Sequence, residues 1–442
     1  MNGVIIAAPA SGSGKTLLTL GLLRHLAQQG KRVVSAKVGP DYIDPAFHAA
    51  ASGRPCRNLD AWAMRPATMA TNLVGLEDDA ELAVCEGVMG LFDGARVPIG
   101  DISGSTADVA RLTGWPVVLV VDARAQAASA AAVVRGFATH QPDVRTAAVI
   151  FNRIGGPGHA AILRQACAET LPEIPVLGCL PRGEGLSLPE RHLGLVQALE
   201  HPDLETFMAG AASMVAEHID TKALLELAKP ALTNASPVAD AVLPPLGGRI
   251  AVARDTAFAF IYDHVLEGWR AAGAEIELFS PLADEAPGAE ADAVYLPGGY
   301  PELHAGKLAA NSCFMQGLRN AAGRGAALFG ACGGYMVLGR GLVDADGARH
   351  AMAGLLPLET SFAAPRLHLG YRRAALSHNG ALGDANAIFR GHEFHYAKVL
   401  SETGAEPLFR IADAAGEDLG VAGLTTGRVA GSFIHLIDRE IS

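Results

Sequence analysis

Residues 3–8 form a short apolar run that passes directly into "PASGSGKT", Pro9 to Thr16, and then into an amphipathic stretch at 15–29. That loop constrains the fold more than any other feature of the chain. A glycine-rich turn between a buried strand and a helix aims backbone N–H groups and a helix N-terminus at one point, where they cradle anionic oxygens. Gly12, Ser13 and Gly14 supply the cradle, Lys15 adds a point charge, and the Thr16 hydroxyl is placed to hold Mg²⁺. The full pattern, G-x-x-x-x-G-K-[ST], puts a glycine where this chain has Pro9. Pro9 lies on the strand side, before the glycines that approach phosphate, so it alters the loop's entry and leaves the cradle. The plainer reading is a glycine turn that does no more than open a helix. Both the residue pattern and its placement favour the nucleotide site.

The rest of the first half repeats the strand-then-helix rhythm. Apolar runs at 3–8, 32–38, 82–85, 116–121, 146–151 and 175–180 read as buried strands, and 15–29 and 126–140 are long enough to be crossover helices. Near-continuous Val/Ile/Leu strands separated by helices imply a parallel sheet covered on both faces. From Asp220 the text turns to "KPALTNASPVADAVLPPLGG", rich in turn residues, so 221–248 is read as a linker between domains at 1–220 and 249–442. The second domain is again α/β, with strands at 250–253, 275–279, 293–296 and 326–329 and helices at 261–272 and 303–322. After Leu369 the runs shorten and alternate, as antiparallel strands completing a sheet do. The expected fold class is α/β with two doubly wound domains, the first a P-loop parallel sheet with flanking helices.

Composition excludes several functions. The net charge of −11 is wrong for a protein whose main partner is nucleic acid. Six cysteines without a C-x-x-C pair fit a reduced, cytoplasmic setting rather than a disulfide framework. Nothing approaches an 18-residue apolar span, so no membrane insertion is expected.

A triphosphate site also needs carboxylates around its metal. "KVGPDYIDP" follows the second strand with Lys37, Asp41 and Asp44, and "CEGVMGLFDG" follows the third expected strand with Glu86 and Asp93. Carboxyl ends of neighbouring strands line one crevice in such a sheet, so these groups can converge on the loop. Several acids beside a polyanion make sense only with a cation between them. For Asp41 and Asp44, flanked by prolines, turn or N-cap service is the bland alternative. Asp122, ending "VVLVVD", reads either as a Walker-B acid or as a strand-end cap.

"LFGACGGYMVLG" places Cys332 after an apolar strand and before a helix, with small residues on both sides that allow a sharp turn. The helix N-terminus behind it is expected to lower the thiol pKa. His435 of "GSFIHL" is the candidate base. Gly333 and the glycines of "LPGGYPE", Gly298 and Gly299, are candidate oxyanion donors. A lone buried cysteine is usually packing; the surrounding glycines reverse that judgement here. The other five cysteines lack such a setting and read as structural.

"PGGYPE", "GACGGYMVLG" and the late histidine resemble a class I glutamine amidotransferase domain, of flavodoxin-like fold, which hydrolyses glutamine through a cysteine thioester. Most members carry a Glu two residues after the histidine; here that position is Ile437, and a Cys–His dyad is typical of the cobyrinate-amidating branch. Together with a P-loop domain resembling dethiobiotin synthetase and the ordered motifs "KVGPDYIDP", "EGVMGLFDG", "RHLGL" and "GHEFHY", the whole chain is similar to the cobyrinic or hydrogenobyrinic acid a,c-diamide synthases of cobalamin biosynthesis. The resemblance implies a C–N ligase that uses ATP, Mg²⁺ and glutamine to amidate the a- and c-acetates through acyl phosphates, with ammonia from Cys332 kept unprotonated within the protein. It assigns Lys15 and Lys37 to phosphates, and Thr16, Asp41, Asp44 and Glu86 to Mg²⁺ and acyl-phosphate positioning. Asn152 of "FNRIGG" resembles a base-recognition asparagine. Arg153, Arg182, Arg191 and Arg372 are candidates for the macrocycle's carboxylates, and a homodimer is the family expectation.

His392 and His395 in "GHEFHY" are three apart on an expected strand and face opposite ways, which speaks against a shared zinc. Glu393 and His395 share a face and are candidates for substrate or interface contact. Two alternatives stand beside the main reading: an amidase of another tetrapyrrole such as nickel sirohydrochlorin, and a P-loop switch ATPase with an inactive amidotransferase-like domain.

Overall fold

The computed structural model describes residues 1–76, 80–182, 190–191, 194–232, 236 and 242–441. They fall into two units, Met1–Trp62 with Pro66–Ala95 and Gly100–Pro237, and Ala63–Arg65 with Arg96–Ile99 and Val238–Ser442.

The first unit is built on β1 (Asn2–Ala7), β2 (Val33–Val38), β3 (Cys56–Leu59), β4 (Leu82–Glu86), β5 (Val117–Asp122), β6 (Thr146–Ile154) and β7 (Val176–Pro181), in the order β3-β2-β4-β1-β5-β6-β7 and all parallel. Every residue of β2 and β4 is buried, which is why these strands read as continuous apolar runs rather than alternating ones. The crossovers include α1 (Lys15–Gln28), α2 (Asp44–Ser52), α3 (Pro66–Val74), α4 (Thr106–Thr113), α5 (Ala130–His140) and α6 (Pro157–Thr170). Residues 8–14 leave the carboxyl end of β1, the inner strand between β4 and β5, so the glycine loop opens where a doubly wound sheet binds its ligands.

Three local expectations change. β3 was not foreseen, because "CRNL" has four residues and no apolar run. The helix expected from 126 begins at Ala130. The stretch read as linker from 221 opens with a helix: after α7 (Leu204–His218), the Asp220 side chain accepts from Ala223 N–H and starts α8 (Thr221–Leu227). A short ribbon of β8 (Glu190–Arg191) and β9 (Gly194–Leu195) precedes α7, and β10 (Lys229–Pro230) pairs antiparallel with β1 at Asn2 and Gly3.

The second unit begins with β11 (Arg249–Ala253), α9 (Asp263–Ala271), β12 (Glu275–Phe279) and β13 (Ala293–Leu296). The helix expected at 303–322 is interrupted at Asn311 into α10 (Ala305–Ala310) and α11 (Ser312–Gly323). β14 (Ala327–Ala331) and α12 (Gly333–Leu338) follow. A small sheet of β15 (Gly341–Val343), β16 (Arg349–Ala351), β17 (Leu358–Ser361) and, later, β20 (Lys398–Glu402) covers this end of the chain. The main sheet gains β18 (His368–Leu376), β19 (Ile388–His395), β21 (Glu406–Ala412), β22 (Asp418–Thr426), β23 (Val429–Ser432) and β24 (Ile434–Arg439), giving the order β12-β11-β13-β14-β23-β22-β21-β18-β19-β24. It is parallel from β12 to β23 and antiparallel beyond, as the shortened, alternating runs after Leu369 imply. Both units are therefore α/β. Among the described residues no helix is long and apolar enough to cross a membrane.

Candidate active sites

The glycine loop has the backbone that its sequence demands. Gly12 and Gly14 lie at φ of 73° and 94°, and Gly14 caps α1 directly before Lys15. A side chain on Gly14 would also strike Asn152, whose Nδ2 stands 2.1 Å from where the Cβ would be. Pro9 is not among the residues with positive φ, so its ring is compatible with the loop entry. The Lys15 ammonium donates to the Met89 carbonyl oxygen at 2.6 Å, and burial holds its pKa below the ordinary lysine value.

Beside the loop, the expected acids come together around Lys37. Its Nζ lies 2.5 Å from Asp44 Oδ2, 2.9 Å from Glu86 Oε1 and 3.8 Å from Asp41 Oδ2. Thr16 Oγ1 donates to the same Glu86 oxygen at 2.7 Å. The resemblance assigns Lys37 to phosphate, and in this structure its ammonium is held by these three carboxylates. Burial works against its charge, but Asp44, Glu86 and Asp41 raise its pKa well above normal. The acids divide the consequences: burial and the Asp41 charge push Asp44 up to about 7, whereas Glu86, although buried, is pulled well below the usual range by Lys37, His48 and Thr16. Asp41 Oδ1 accepts from the Ile43 and Asp44 N–H groups, which is the turn service offered for it, while Oδ2 faces Lys37.

Two members of this cluster escaped sequence reasoning. His48 is fully buried and its Nε2 meets Glu86 Oε2 at 2.7 Å. Behind it, Cys56 Sγ lies 3.5 Å from His48 Nδ1, so a cysteine read as mere packing backs the histidine. Burial opposes charge on His48, but its bonds to Cys56 and Glu86 hold its pKa up at about 10. The available signal was the spacing: Asp44 and His48 are four apart on α2 and share a face.

Asn152, at the end of β6, donates from Nδ2 to the Ser13 carbonyl oxygen at 2.9 Å. Asp122 accepts from Arg153 Nη1 at 2.6 Å and from Arg124 N–H at 3.1 Å, as a strand-end cap does. Arg153 also donates to Gly12 O at 2.7 Å, and with Arg124 and Arg182 it lines an open cleft of ≈ 520 Å³. Three guanidinium groups against the Asp122 carboxylate leave that cleft positive. Asp93 accepts from Gly90 N–H at 2.9 Å and shapes its own loop. The side chain of Arg191 and part of "RHLGL" lie outside the described residues.

In the second unit, Cys332 takes φ 50° and ψ −105°, a strained conformation between β14 and α12. Crowding explains the small residues around it: a Cβ on Gly334 would stand 1.9 Å from the Leu296 carbonyl oxygen. The cysteine and His435 reach the same point, since a Cβ on Gly298 would meet His435 Nε2 at 3.1 Å and Cys332 Cβ at 3.3 Å. Gly299 N lies 3.1 Å from the Cβ position of Gly333, so the two candidate oxyanion donors are neighbours. One expectation is reversed. The thiol pKa is not lowered: burial and then the charge of Glu302 push it up, and the Gly333 N–H only partly offsets them. Burial and the nearby His392 and His395 hold His435 down at about 3. Both shifts favour the neutral forms of the resting pair, thiol and imidazole.

Ile437, two residues after His435, is fully buried. A carboxylate does approach from β19: Glu393 accepts from Arg372 Nε at 2.7 Å, contacts His395 Nε2 at 2.9 Å, and acts electrostatically on both Cys332 and His435. His368, Glu393 and His395 are close enough to suggest a metal site. Their geometry argues otherwise, because the His368 and His395 rings stack at 4.7 Å with planes 2° apart, and lone pairs lying in parallel planes cannot converge on one ion. His392 and His395 separate as expected, His392 packing on Tyr371 and His395 on Phe433.

Comparison with known proteins matches both halves of the chain. Residues 4–196 match the family model described as "CobQ/CobB/MinD/ParA nucleotide binding domain", and 249–440 match "CobB/CobQ-like glutamine amidotransferase domain". The chain is 54% identical to the hydrogenobyrinate a,c-diamide synthase of Rhizobium meliloti and 56% identical to that of Brucella suis, in each case over 99% of both chains. It is 52% identical to the one from Rhodobacter capsulatus over 98% of both. With that identity along its whole length, and both of its domains matched in order, the chain belongs to the hydrogenobyrinate a,c-diamide synthase family.

Proposed function

We propose that this protein amidates the a- and c-acetate carboxylates of hydrogenobyrinic acid, spending ATP and taking nitrogen from glutamine. The observation that carries the reading is that one chain holds a phosphate cradle walled by oxygen donors and, separately, a Cys–His pair at a strand-to-helix elbow. The family's names support the metal-free corrinoid over cobyrinic acid and over nickel sirohydrochlorin.

A carboxylate resists attack by ammonia because it would have to expel oxide. Transfer of the γ-phosphoryl group makes an acyl phosphate, which expels phosphate instead. Lys15 exchanges the Met89 carbonyl for phosphate oxygens, and Lys37, already fixed by Asp44 and Glu86, steers the reacting carboxylate and phosphoryl group. Asn152, packed on the loop, recognises the base. The hydroxyl of Thr16 and the carboxylates of Asp41, Asp44 and Glu86 are all hard oxygen donors and fit Mg²⁺. Bound there, the ion supplies charge neutralisation for the polyphosphate.

At the second site Cys332 Sγ attacks the glutamine carboxamide carbon as its proton passes to His435. Gly299 and Gly333 N–H groups hold the oxyanion. His435 then gives the proton to departing ammonia, and water cleaves the thioester to glutamate. Because the resting pair is neutral, proton transfer accompanies attack rather than preceding it. In this reading the enzyme is a cytoplasmic homodimer.

ADP release with and without hydrogenobyrinic acid, by wild type and Cys332→Ala, tests the proposal. We expect ADP only with the corrinoid, and a variant that works with ammonium but not with glutamine. ATP turnover indifferent to corrinoid and to Cys332 would overturn it in favour of a switch ATPase.

A further inference from the structure

His48 belongs to the acid cluster but lies on α2 rather than on the glycine loop. Its helix delivers two groups from one face: Asp44 at the first position binds Lys37, and His48 one turn later binds Glu86. Glu86 is thereby fixed at both oxygens. Oε1 takes Thr16 and Lys37, and Oε2 takes His48 Nε2 at 2.7 Å. All of His48, Glu86 and Lys37 are buried. An ionised carboxylate offers no hydrogen, so Nε2 carries the donor in either protonation state of the ring. Cys56 Sγ, 3.5 Å from Nδ1, holds the opposite edge of the imidazole and sets its rotation.

We propose that His48 is a positioning residue for the nucleotide site, which fixes the Glu86 carboxylate so that Oε1 stays directed at Thr16 and the cation. Without it, Glu86 is free to turn Oε1 toward the emptied imidazole space, and the loop loses its best-placed buried oxygen. The inference rests on the proposed Mg·ATP chemistry, but its test needs neither corrinoid nor glutamine.

The two amides that mimic different edges of imidazole separate the hypotheses. Gln places its NH₂ near the Nε2 position and keeps the donor to Glu86; Asn places it near Nδ1, facing Cys56. Mn²⁺ serves as the probe, its binding in the presence of ADP followed by loss of the free-ion electron paramagnetic resonance signal, with thermal midpoints measured in parallel. Partners that orient a metal-binding carboxylate typically matter ~10–100-fold in affinity. We expect a loss of that order in His48→Asn and recovery of most of it in His48→Gln. Asn and Gln variants that bind Mn²⁺ like wild type would overturn the proposal. So would equal losses in both that track a common fall in thermal midpoint, which would make His48 merely structural. Corrinoid-independent ATP turnover by wild type would defeat the proposed function while leaving this result readable.

Discussion

Lys37 and Glu86 are register partners across β2 and β4, and their side chains meet at 2.9 Å with neither exposed to solvent by more than 4%. Parallel pairing of two central strands thus places a cation against an anion at the open end of the sheet. Removing the cation, as in Lys37→Ala, leaves Glu86, Asp44 and Asp41 facing one another in a buried site. Breaking one side of such a pair costs about 3–5 kcal/mol. Asp44 sets the pH dependence. Its folded pKa of about 7 lies above its ordinary 3.8, so it disfavours the fold increasingly as pH rises through that window, and more so without Lys37. Urea unfolding should therefore show a larger deficit for Lys37→Ala at pH 8 than at pH 5, partly restored by Mg²⁺. A variant as stable as wild type at pH 8 would show that the lysine is not neutralising this cluster.

What the sequence disclosed and what it withheld divide along a physical line. The glycine loop, the elbow around Cys332 and most strands were legible because their causes are local: turn residues, apolar runs and the strand-to-helix order. The ion pairs of Lys37 were not legible, because its partners come from β4 and α2 and strand register is not written in a single sequence. His48 was missed because α2 was not among the helices read from the sequence. The thiol was expected to be activated because the rule saw a helix N-terminus; burial of the elbow, a tertiary effect, outweighs it.

Packing at that elbow predicts a sharp contrast between two glycines. Alanine at Gly334 would drive its Cβ to 1.9 Å from the Leu296 carbonyl oxygen, a backbone atom that cannot yield. Overpacking of this kind costs roughly 1–3 kcal/mol and shifts the strand-to-helix turn that aims Cys332. Gly323, at the end of α11, has nothing within 4 Å of its Cβ position, so alanine there should be neutral or slightly stabilising. Glutamine-dependent synthesis should collapse in Gly334→Ala and persist in Gly323→Ala, while synthesis from ammonium survives in both. Normal glutamine use by Gly334→Ala would show that the elbow has slack.

The neutral resting pair makes a prediction about reactivity. Cys332 is 1% exposed with its thiol pKa pushed up by burial, whereas Cys313 is exposed. Alkylation requires thiolate and access. Iodoacetamide at pH 7.5, followed by peptide mass spectrometry, should therefore modify Cys313 before Cys332 in the absence of glutamine. Faster labelling of Cys332 would mean that the resting dyad is already a thiolate–imidazolium pair and that attack needs no concerted proton transfer.

Glu393 offers the last test, because its charge acts on the fold and on the thiol in opposite senses. Burial alone would raise its pKa, but hydrogen bonds from His395 and the charge of Arg372 bring it down to about 2 from an ordinary 4.5. A depressed carboxylate contributes stability above its unfolded pKa, and that contribution is lost as pH falls from 4.5 toward 2. The pair is mostly buried, with Arg372 and Glu393 side chains 14% and 16% exposed, so screening removes little of it. Glu393→Gln should be less stable than wild type near pH 7, by about 2–3 kcal/mol at most, with the gap closing below pH 4.5. The same negative charge raises the Cys332 thiol pKa and the pKa of His435. The variant should therefore lose stability at neutral pH while its Cys332 alkylates faster than in wild type. Destabilisation without faster alkylation would place Glu393 in the fold alone; a stability gap that persists at pH 3 would show that the loss comes from packing rather than charge.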